Sequence, residues 1–160
     1  MNIVLARVDD RLIHGQVMTK WSKGKATKAI YIIDDETYND DFLKTIFEST
    51  GKRSGLNVKV FSLEAFKNFA LSADNNENII LLFKNIKTVN NLINSGFSIS
   101  DLNIGGVSER RNVRKVNPSV SLTQEMYFQL KSLEKLGVTI NFQTVPDTKI
   151  TTMKDIDGLW

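Results

Sequence analysis

Short apolar runs alternate along the chain with amphipathic segments of helical spacing. The strand-like runs occupy residues 2–8, 29–33, 58–61, 79–83, 102–106, 120–122 and 138–142. Two of them, residues 29–33 and 79–83, are continuously apolar, which is typical of strands buried on both faces of a parallel sheet. Residues 108–118 are polar and basic and are predicted to form a loop, and no element is predicted after Pro146.

The segments between these runs carry apolar residues spaced three and four apart, as on one face of a helix. The stripes are Phe42, Leu43, Ile46 and Phe47; Leu63, Phe66, Phe69 and Ala70; Ile86, Val89, Leu92 and Ile93; and Met126, Leu130 and Leu133. Another helix is predicted over residues 15–22. Gly51 and Gly55 are expected to end the helix that contains Phe42, and Thr123 is expected to cap the last one. We also expect Phe42, Phe47, Phe66 and Phe69 to lie in the core.

This alternation of strands and helices predicts the fold class. Short connections between them indicate βαβ units, so we expect an α/β fold with a mainly parallel central sheet and helices on both faces. A length of 160 residues with 41% hydrophobic residues fits one domain over residues 1–160.

Composition excludes several kinds of site. The chain has no cysteine and one histidine, which excludes disulfides, zinc–thiolate sites, cysteine nucleophiles and sites with several histidine ligands. We therefore expect no metal, and nothing in the sequence implies an organic cofactor. The amino-terminal residues lack a secretory leader and no apolar run approaches the roughly 20 residues that span a bilayer, so a cytoplasmic location is expected.

The one histidine follows the first predicted strand. Asp9, Asp10, Arg11 and His14 lie between that strand and the predicted helix that begins near Gly15. A strand-to-helix turn of this kind is where α/β folds bind anions. Neutral imidazole is a nucleophile near pH 7, so His14 is a candidate phosphoryl acceptor.

The neighbours of His14 could serve a transferred phosphoryl group. Arg11 can offer a planar pair of donors, and the backbone N–H groups from Gly15 and Gln16 onward can add others. Asp9 or Asp10 could orient the imidazole or hold Arg11. The competing interpretation is structural, because a lone histidine often serves packing and aspartates often serve turns.

Other polar residues are expected at the same edge of the sheet. Asp34 and Asp35 follow the second strand, Lys84 follows the fourth, and the Gly105–Gly106 pair closes the fifth. Lys84 could neutralise phosphate or could be an ordinary surface lysine. The glycine pair is expected to form a tight turn beside the phosphoryl site.

The basic residues of segment 108–118 could bind a negatively charged partner. Arg110, Arg111, Arg114 and Lys115 could contact nucleic acid, but no aromatic residue is interleaved and no nucleic-acid motif is present. We therefore expect a solvated loop and no nucleic-acid partner. An acidic protein surface is the alternative partner, which such charges would attract.

Two other functions remain open from the residues alone. A receiver-like domain phosphorylated on aspartate would use Asp9 and Asp10 with Lys84, but it expects an acceptor aspartate after the third strand, where this chain has Phe61–Ser62. A Rossmann-like module that binds an anion without turnover is the second alternative.

Five segments of the chain resemble one known family. The segment Arg-Val-Asp-Asp-Arg-Leu-Ile-His-Gly-Gln-Val at 7–17 is similar to the active-site signature of the IIB components of the mannose/fructose/sorbose family of the bacterial sugar phosphotransferase system (PTS). The supporting segments are residues 33–36, 81–85, 143–146 and the Asn-x-Gly-Gly sequence at 103–106.

The resemblance implies a phosphotransferase. It implies that Nδ1 of His14 accepts a phosphoryl group from a phosphohistidine on a IIA protein, and that Arg11 contacts that group. The group then passes to a sugar imported by a membrane permease of IIC and IID subunits, which would be this protein's only link to the membrane. The family fold, a mainly parallel sheet between helices, agrees with the alternation described above.

Overall fold

A computed structural model describes residues 1–15, 17–74 and 76–160. These residues form a nine-stranded sheet with the order β3-β2-β4-β1-β5-β7-β6, in which β8 also pairs with β5 and β9 with β8. The strands are β1 (Asn2–Asp9), β2 (Ala29–Ile33), β3 (Asn57–Phe61), β4 (Asn78–Phe83), β5 (Asp101–Ser108), β6 (Val113–Asn117), β7 (Val120–Thr123), β8 (Thr139–Phe142) and β9 (Thr151–Thr152). The β6–β7 and β8–β9 pairs are antiparallel and the others are parallel. The predicted mainly parallel sheet is confirmed.

Helices follow most of the strands. They are a π-helical turn (Val17–Trp21) with α1 (Ser22–Gly24), α2 (Asp35–Tyr38), α3 (Asp41–Arg53), α4 (Leu63–Ser72), α5 (Ile86–Asn94), α6 (Gln124–Lys135), α7 (Met153–Ile156) and a 3₁₀ turn (Asp157–Leu159). Thr123 caps α6 as predicted, since its side chain accepts a hydrogen bond from the Met126 amide. No helix in the described ranges is long and apolar enough to cross a membrane.

The core lies on both faces of the sheet, as the continuous apolar runs predicted. On β2, Tyr31 and Ile33 pack into one cluster with α4, α5 and α6, whereas Ile30 and Ile32 pack into the other. The second cluster receives Val17 and Trp21 from the π-helical turn and, at its margin, Phe47 from α3. The predicted helices on both faces are therefore confirmed.

Two predictions about α3 are wrong. Phe42 was expected in the core but is 74% exposed, because it lies about 140° around α3 from Phe47, the residue of that stripe that packs at the margin of the core. Gly51 does not end the helix, which continues to Arg53. A Cβ at Gly51 would lie 2.3 Å from Val58 Cγ2, so glycine is needed there for close packing of α3 on β3.

Two further predictions need correction. The segment 108–118 is not wholly a loop, because Val113–Asn117 forms β6 at the edge of the sheet. None of its residues is buried, and Arg114 and Lys115 are exposed, so it lacks the apolar signal of a buried strand, and its charged residues suit an unpaired edge. The helix predicted over residues 15–22 is short and irregular, consisting of the π-helical turn and α1.

The two phenylalanines provide a test of this packing. Phe66 is fully buried among aromatic neighbours, so Phe66→Ala should lower the free energy of unfolding by about 3–5 kcal/mol. Phe42→Ala, the matched control, should change it by less than about 0.5 kcal/mol. Urea unfolding of the two variants measures both values, and equal losses would contradict the described placement of α3.

Candidate functional site

The segment after β1 forms a tight turn at the carboxyl end of a central strand. The Leu12 amide donates to the Asp9 carbonyl oxygen at 2.9 Å, and Leu12 adopts a left-handed conformation with φ of 56°. Its side chain is buried in the core shared with Val17. The His14 carbonyl oxygen accepts from the Met18 amide at 3.1 Å, so His14 is fixed between two anchored positions.

The imidazole of His14 is held from one side by Asp9. Its Nε2 lies 2.9 Å from Asp9 Oδ2, and its side chain is 18% exposed. An ionised carboxylate can only accept hydrogen bonds, so Nε2 carries the proton. The other ring nitrogen, Nδ1, then has the lone pair that a nucleophile needs.

Asp9 is the centre of this site. Its carboxylate is fully buried and receives Arg11 in a bidentate arrangement, with Nε 3.0 Å from Oδ1 and Nη2 3.1 Å from Oδ2. Burial by itself raises the pKa of Asp9, but the hydrogen bonds from Arg11 and His14 and the charge of Arg7 outweigh it and bring the pKa below its ordinary value. Asp9 is therefore a carboxylate at neutral pH.

Arg11 lies at the surface beside the imidazole. Its side chain is 47% exposed, and its bonds to Asp9 use two of the five guanidinium N–H donors. The arrangement brings together an imidazole, a cation with further donors and a buried orienting carboxylate. Such a site can stabilise an anionic group that approaches His14 from solvent.

Arg7 lies beneath Asp9 and was given no role from the sequence. Its guanidinium is fully buried, and Nη2 lies 2.9 Å from Asp9 Oδ2 and 3.0 Å from the Thr144 carbonyl oxygen. Nη1 donates to the Asn103 side chain and to the Gln143 carbonyl oxygen. Burial lowers the pKa of Arg7, and the Asp9 charge opposes that shift. The one sign of this role in the sequence was the presence of a charged residue within an otherwise apolar strand.

The glycine pair of β5 makes room for these two charged side chains. A Cβ at Gly105 would lie 1.9 Å from Arg7 Cζ, and one at Gly106 would lie 2.7 Å from Asp9 Oδ1. Both glycines belong to a strand that continues to Ser108, so the predicted tight turn is wrong. Glycine is required here by the space that the buried ion pair occupies.

Asp10 lies at the site but faces β5. Its amide donates to the Gly106 carbonyl oxygen at 3.0 Å, and its carboxylate accepts from the Ser108 amide at 2.6 Å. Of the two aspartates, Asp9 orients the imidazole and holds Arg11, whereas Asp10 fixes the loop to the end of β5. A Cβ at Gly15 would meet no non-neighbouring atom within 4 Å. Gln16 lies outside the described residues.

The remaining predicted residues at this edge have other partners. Lys84 Nζ lies 3.1 Å from Glu36 Oε2, so the structure pairs it with a surface glutamate rather than with the imidazole. Asp34 caps α2 through the Thr37 amide, and Asp35 accepts from the Leu63 amide. Within the described ranges no three His, Cys, Asp or Glu side chains come together as metal ligands.

The glycine at 105 gives a direct test of this packing. Gly105→Ala should lower the free energy of unfolding by about 3 kcal/mol, because the added methyl group overlaps the Arg7 guanidinium. Gly24→Ala is the matched control, since a Cβ there meets nothing within 4 Å. Thermal and urea unfolding measure both, and equal stability of the two variants would contradict the described position of Arg7.

Comparison with known proteins identifies the family. The family model for the PTS system sorbose subfamily IIB component matches residues 3–159. The sorbose-specific EIIB component of Klebsiella pneumoniae is 36% identical over 146 residues, covering 91% of this chain and 88% of that protein. The mannose-specific EIIAB component of Escherichia coli K12 is 31% identical over 160 residues, covering 98% of this chain and 48% of that protein.

A solved structure shows the same fold over nearly the whole chain. The crystal structure of manxB from Thermoanaerobacter tengcongensis matches with a TM-score of 0.89 and 38% identity, covering 99% of this chain and 96% of that one. The resemblance drawn from the sequence motifs is thus confirmed. The chain belongs to the sorbose-subfamily IIB components of the sugar phosphotransferase system, which are phosphotransferases that serve as its phosphocarrier subunits.

Proposed function

We propose that His14 is the phosphoryl acceptor of this IIB component and that Nδ1 is the atom that carries the group. The observation that carries the proposal is the contact between Nε2 and the buried Asp9 carboxylate, together with the partial exposure of the ring. This contact leaves the lone pair of Nδ1 available, while Arg11 provides a positive charge at the surface.

The transfer is a displacement at phosphorus. The Nδ1 lone pair of His14 forms a P–N bond as the P–N bond to the donor imidazole breaks, and the bonding electrons return to the donor nitrogen. His14 then bears positive charge on its ring, which the Asp9 carboxylate at Nε2 stabilises. In the onward step a sugar hydroxyl oxygen forms a P–O bond as the P–N bond to His14 breaks. The bonding electrons return to Nδ1, the hydroxyl proton passes to solvent, and the ring of His14 becomes neutral again.

Arg11 supports the proposed transfer without leaving Asp9. Three of its N–H groups remain after the bidentate contact, and they can bind the oxygens of the phosphoryl group. Phosphoryl transfer depends mainly on positioning and on neutralising the three equatorial oxygens. A fixed guanidinium next to the nucleophile provides both.

The other predicted site residues have supporting roles in this proposal. Asp10 fixes the His14 loop to β5, and the open space around Gly15 leaves room for a donor protein. For Gln16, a contact with the phosphoryl group is proposed from the similarity of segment 7–17 to the family signature. Lys84 would add positive charge at the same edge of the sheet if its ammonium group left Glu36, its surface partner, for the phosphoryl group.

We further propose a IIA protein as the donor and a IIC/IID permease with its sugar as the acceptor. The IIA donor is supported by the E. coli mannose-specific relative, whose name joins the A and B components in one protein. The permease is what the resemblance to this family implies, and membership of the sorbose subfamily supports it. In this proposal residues 1–160 act as one cytoplasmic domain that reaches the membrane only through the permease.

Intact-mass analysis tests the acceptor. After incubation with a phosphorylated IIA protein of this family, the parent should gain the mass of one phosphoryl group, and His14→Ala should gain none. Lys20→Ala is the control, because Lys20 is an exposed residue of the same segment. The adduct should survive alkali and be lost in acid.

Either of two results would contradict the proposal. An adduct that persists in His14→Ala would place the phosphoryl group on another residue. An adduct lost in alkali would indicate an acyl phosphate and favour the receiver-like alternative.

A further inference from the structure

Arg7 and His14 bind the same oxygen atom. Asp9 Oδ2 lies 2.9 Å from Arg7 Nη2 and 2.9 Å from His14 Nε2. Arg7 approaches from the interior and His14 from the surface side, with side-chain exposures of 0% and 18%. Any movement or change of charge at Arg7 therefore reaches the imidazole through one shared atom.

Arg7 is held rigidly. Besides Asp9, its guanidinium donates to the carbonyl oxygens of Gln143 and Thr144 and to the Asn103 side chain. It also lies over the Trp21 ring, whose centroid is 5.3 Å from Cζ. The Trp21 indole donates to the same Thr144 carbonyl oxygen at 3.1 Å. The guanidinium therefore fixes Asp9 in one orientation.

Stability alone does not account for a charged side chain in this position. A buried ion pair is often no more stabilising than well-packed apolar residues of similar volume. Arg7 Nε has no hydrogen-bond partner among the described residues, and β5 must have glycine at 105 to accommodate the guanidinium. An apolar residue at position 7 would avoid both costs but would leave the buried Asp9 carboxylate without its inner counter-charge, so the explanation of Arg7 lies in what Asp9 does.

The electrostatics of the cluster provide that explanation. Asp9 is faced by the charges of Arg7 and Arg11 and by the imidazole of His14. Asp10 bonds to Ser108 and Lys84 to Glu36, so both are engaged elsewhere. The two guanidinium groups balance the negative charge of Asp9 and hold its carboxylate in the orientation that brings Oδ2 to Nε2 of His14.

We propose that Arg7 is a positioning residue for phosphoryl transfer: it fixes the Asp9 carboxylate, so that Asp9 holds the proton of His14 on Nε2 and leaves Nδ1 as the nucleophilic atom. This inference rests on the proposed function of His14. Arg7 would thus act on His14 through Asp9, without touching the imidazole. Asn103 and Gly105 belong to the same arrangement, because Asn103 accepts a hydrogen bond from Arg7 and Gly105 leaves space for its guanidinium.

NMR of the one histidine tests the proposal. His14 is the only histidine in the chain, so its ring resonances report its tautomer without ambiguity. Arg7→Gln removes the positive charge that holds Asp9, whereas Arg7→Lys keeps a positive charge at that position. Nitrogen-15 shifts of the neutral ring should show the proton on Nε2 in the parent and a mixture of tautomers in Arg7→Gln.

Transfer kinetics provide the second readout. The rate of phosphoryl uptake from phosphorylated IIA should fall about tenfold or more in Arg7→Gln, with partial recovery in Arg7→Lys. Leu133→Ala is the control: Leu133 is fully buried on α6, in the core cluster on the opposite face of the sheet. It should lose stability but keep the parent tautomer of His14.

The proposal is overturned if the folded Arg7 variants keep the parent tautomer of His14, or if their rates fall no further than that of Leu133→Ala. Arg7→Lys decides the matter should Arg7→Gln fail to fold. Failure of the proposed function would look different, because the NMR changes would persist while the parent itself took up no phosphoryl group on His14.

Discussion

The site depends on one buried carboxylate that is shared by three side chains. Asp9 receives Arg7 from the interior, Arg11 from the surface and the imidazole of His14 from the adjoining turn. A carboxylate removed from water is costly unless hydrogen bonds and opposite charges compensate for it. Here they do, and the pKa of Asp9 falls below its ordinary value although burial acts to raise it. Removing Asp9 would leave Arg7 buried without a counter-charge.

The fold provides that compensation through the position of β1. This strand lies between β4 and β5, so its carboxyl end is enclosed by neighbouring strands and its polar groups must find partners within the protein. β5 contributes Asn103 and the glycine pair, and the segment after β8 contributes carbonyl oxygens. Thus residues far apart in the chain meet around the Arg7 guanidinium. Through Asp9, these buried contacts hold the partly exposed imidazole of His14.

The sequence predicted the fold class because its strands are buried on both faces and show this as continuous apolar runs. It failed at β6, an exposed edge strand without an apolar pattern, and at Phe42, whose helical spacing resembles that of a core residue. For the site it grouped His14, Arg11 and Asp9 by their order after β1. It could not show that Arg7 turns inward beneath Asp9, since the position of Arg7 depends on Asn103 of β5 and on Gln143 just after β8, which lie 96 and 136 residues along the chain.

The position of phosphorus on the ring tests the central claim most directly. Phosphorus–nitrogen couplings in the phosphorylated, nitrogen-15-labelled protein identify the atom that bears the group. If Asp9 holds Nε2–H, the phosphoryl group must be on Nδ1 of His14. Phosphorylation of Nε2 would show that the hydrogen bond to Asp9 does not orient the nucleophile and would contradict the described role of the buried carboxylate.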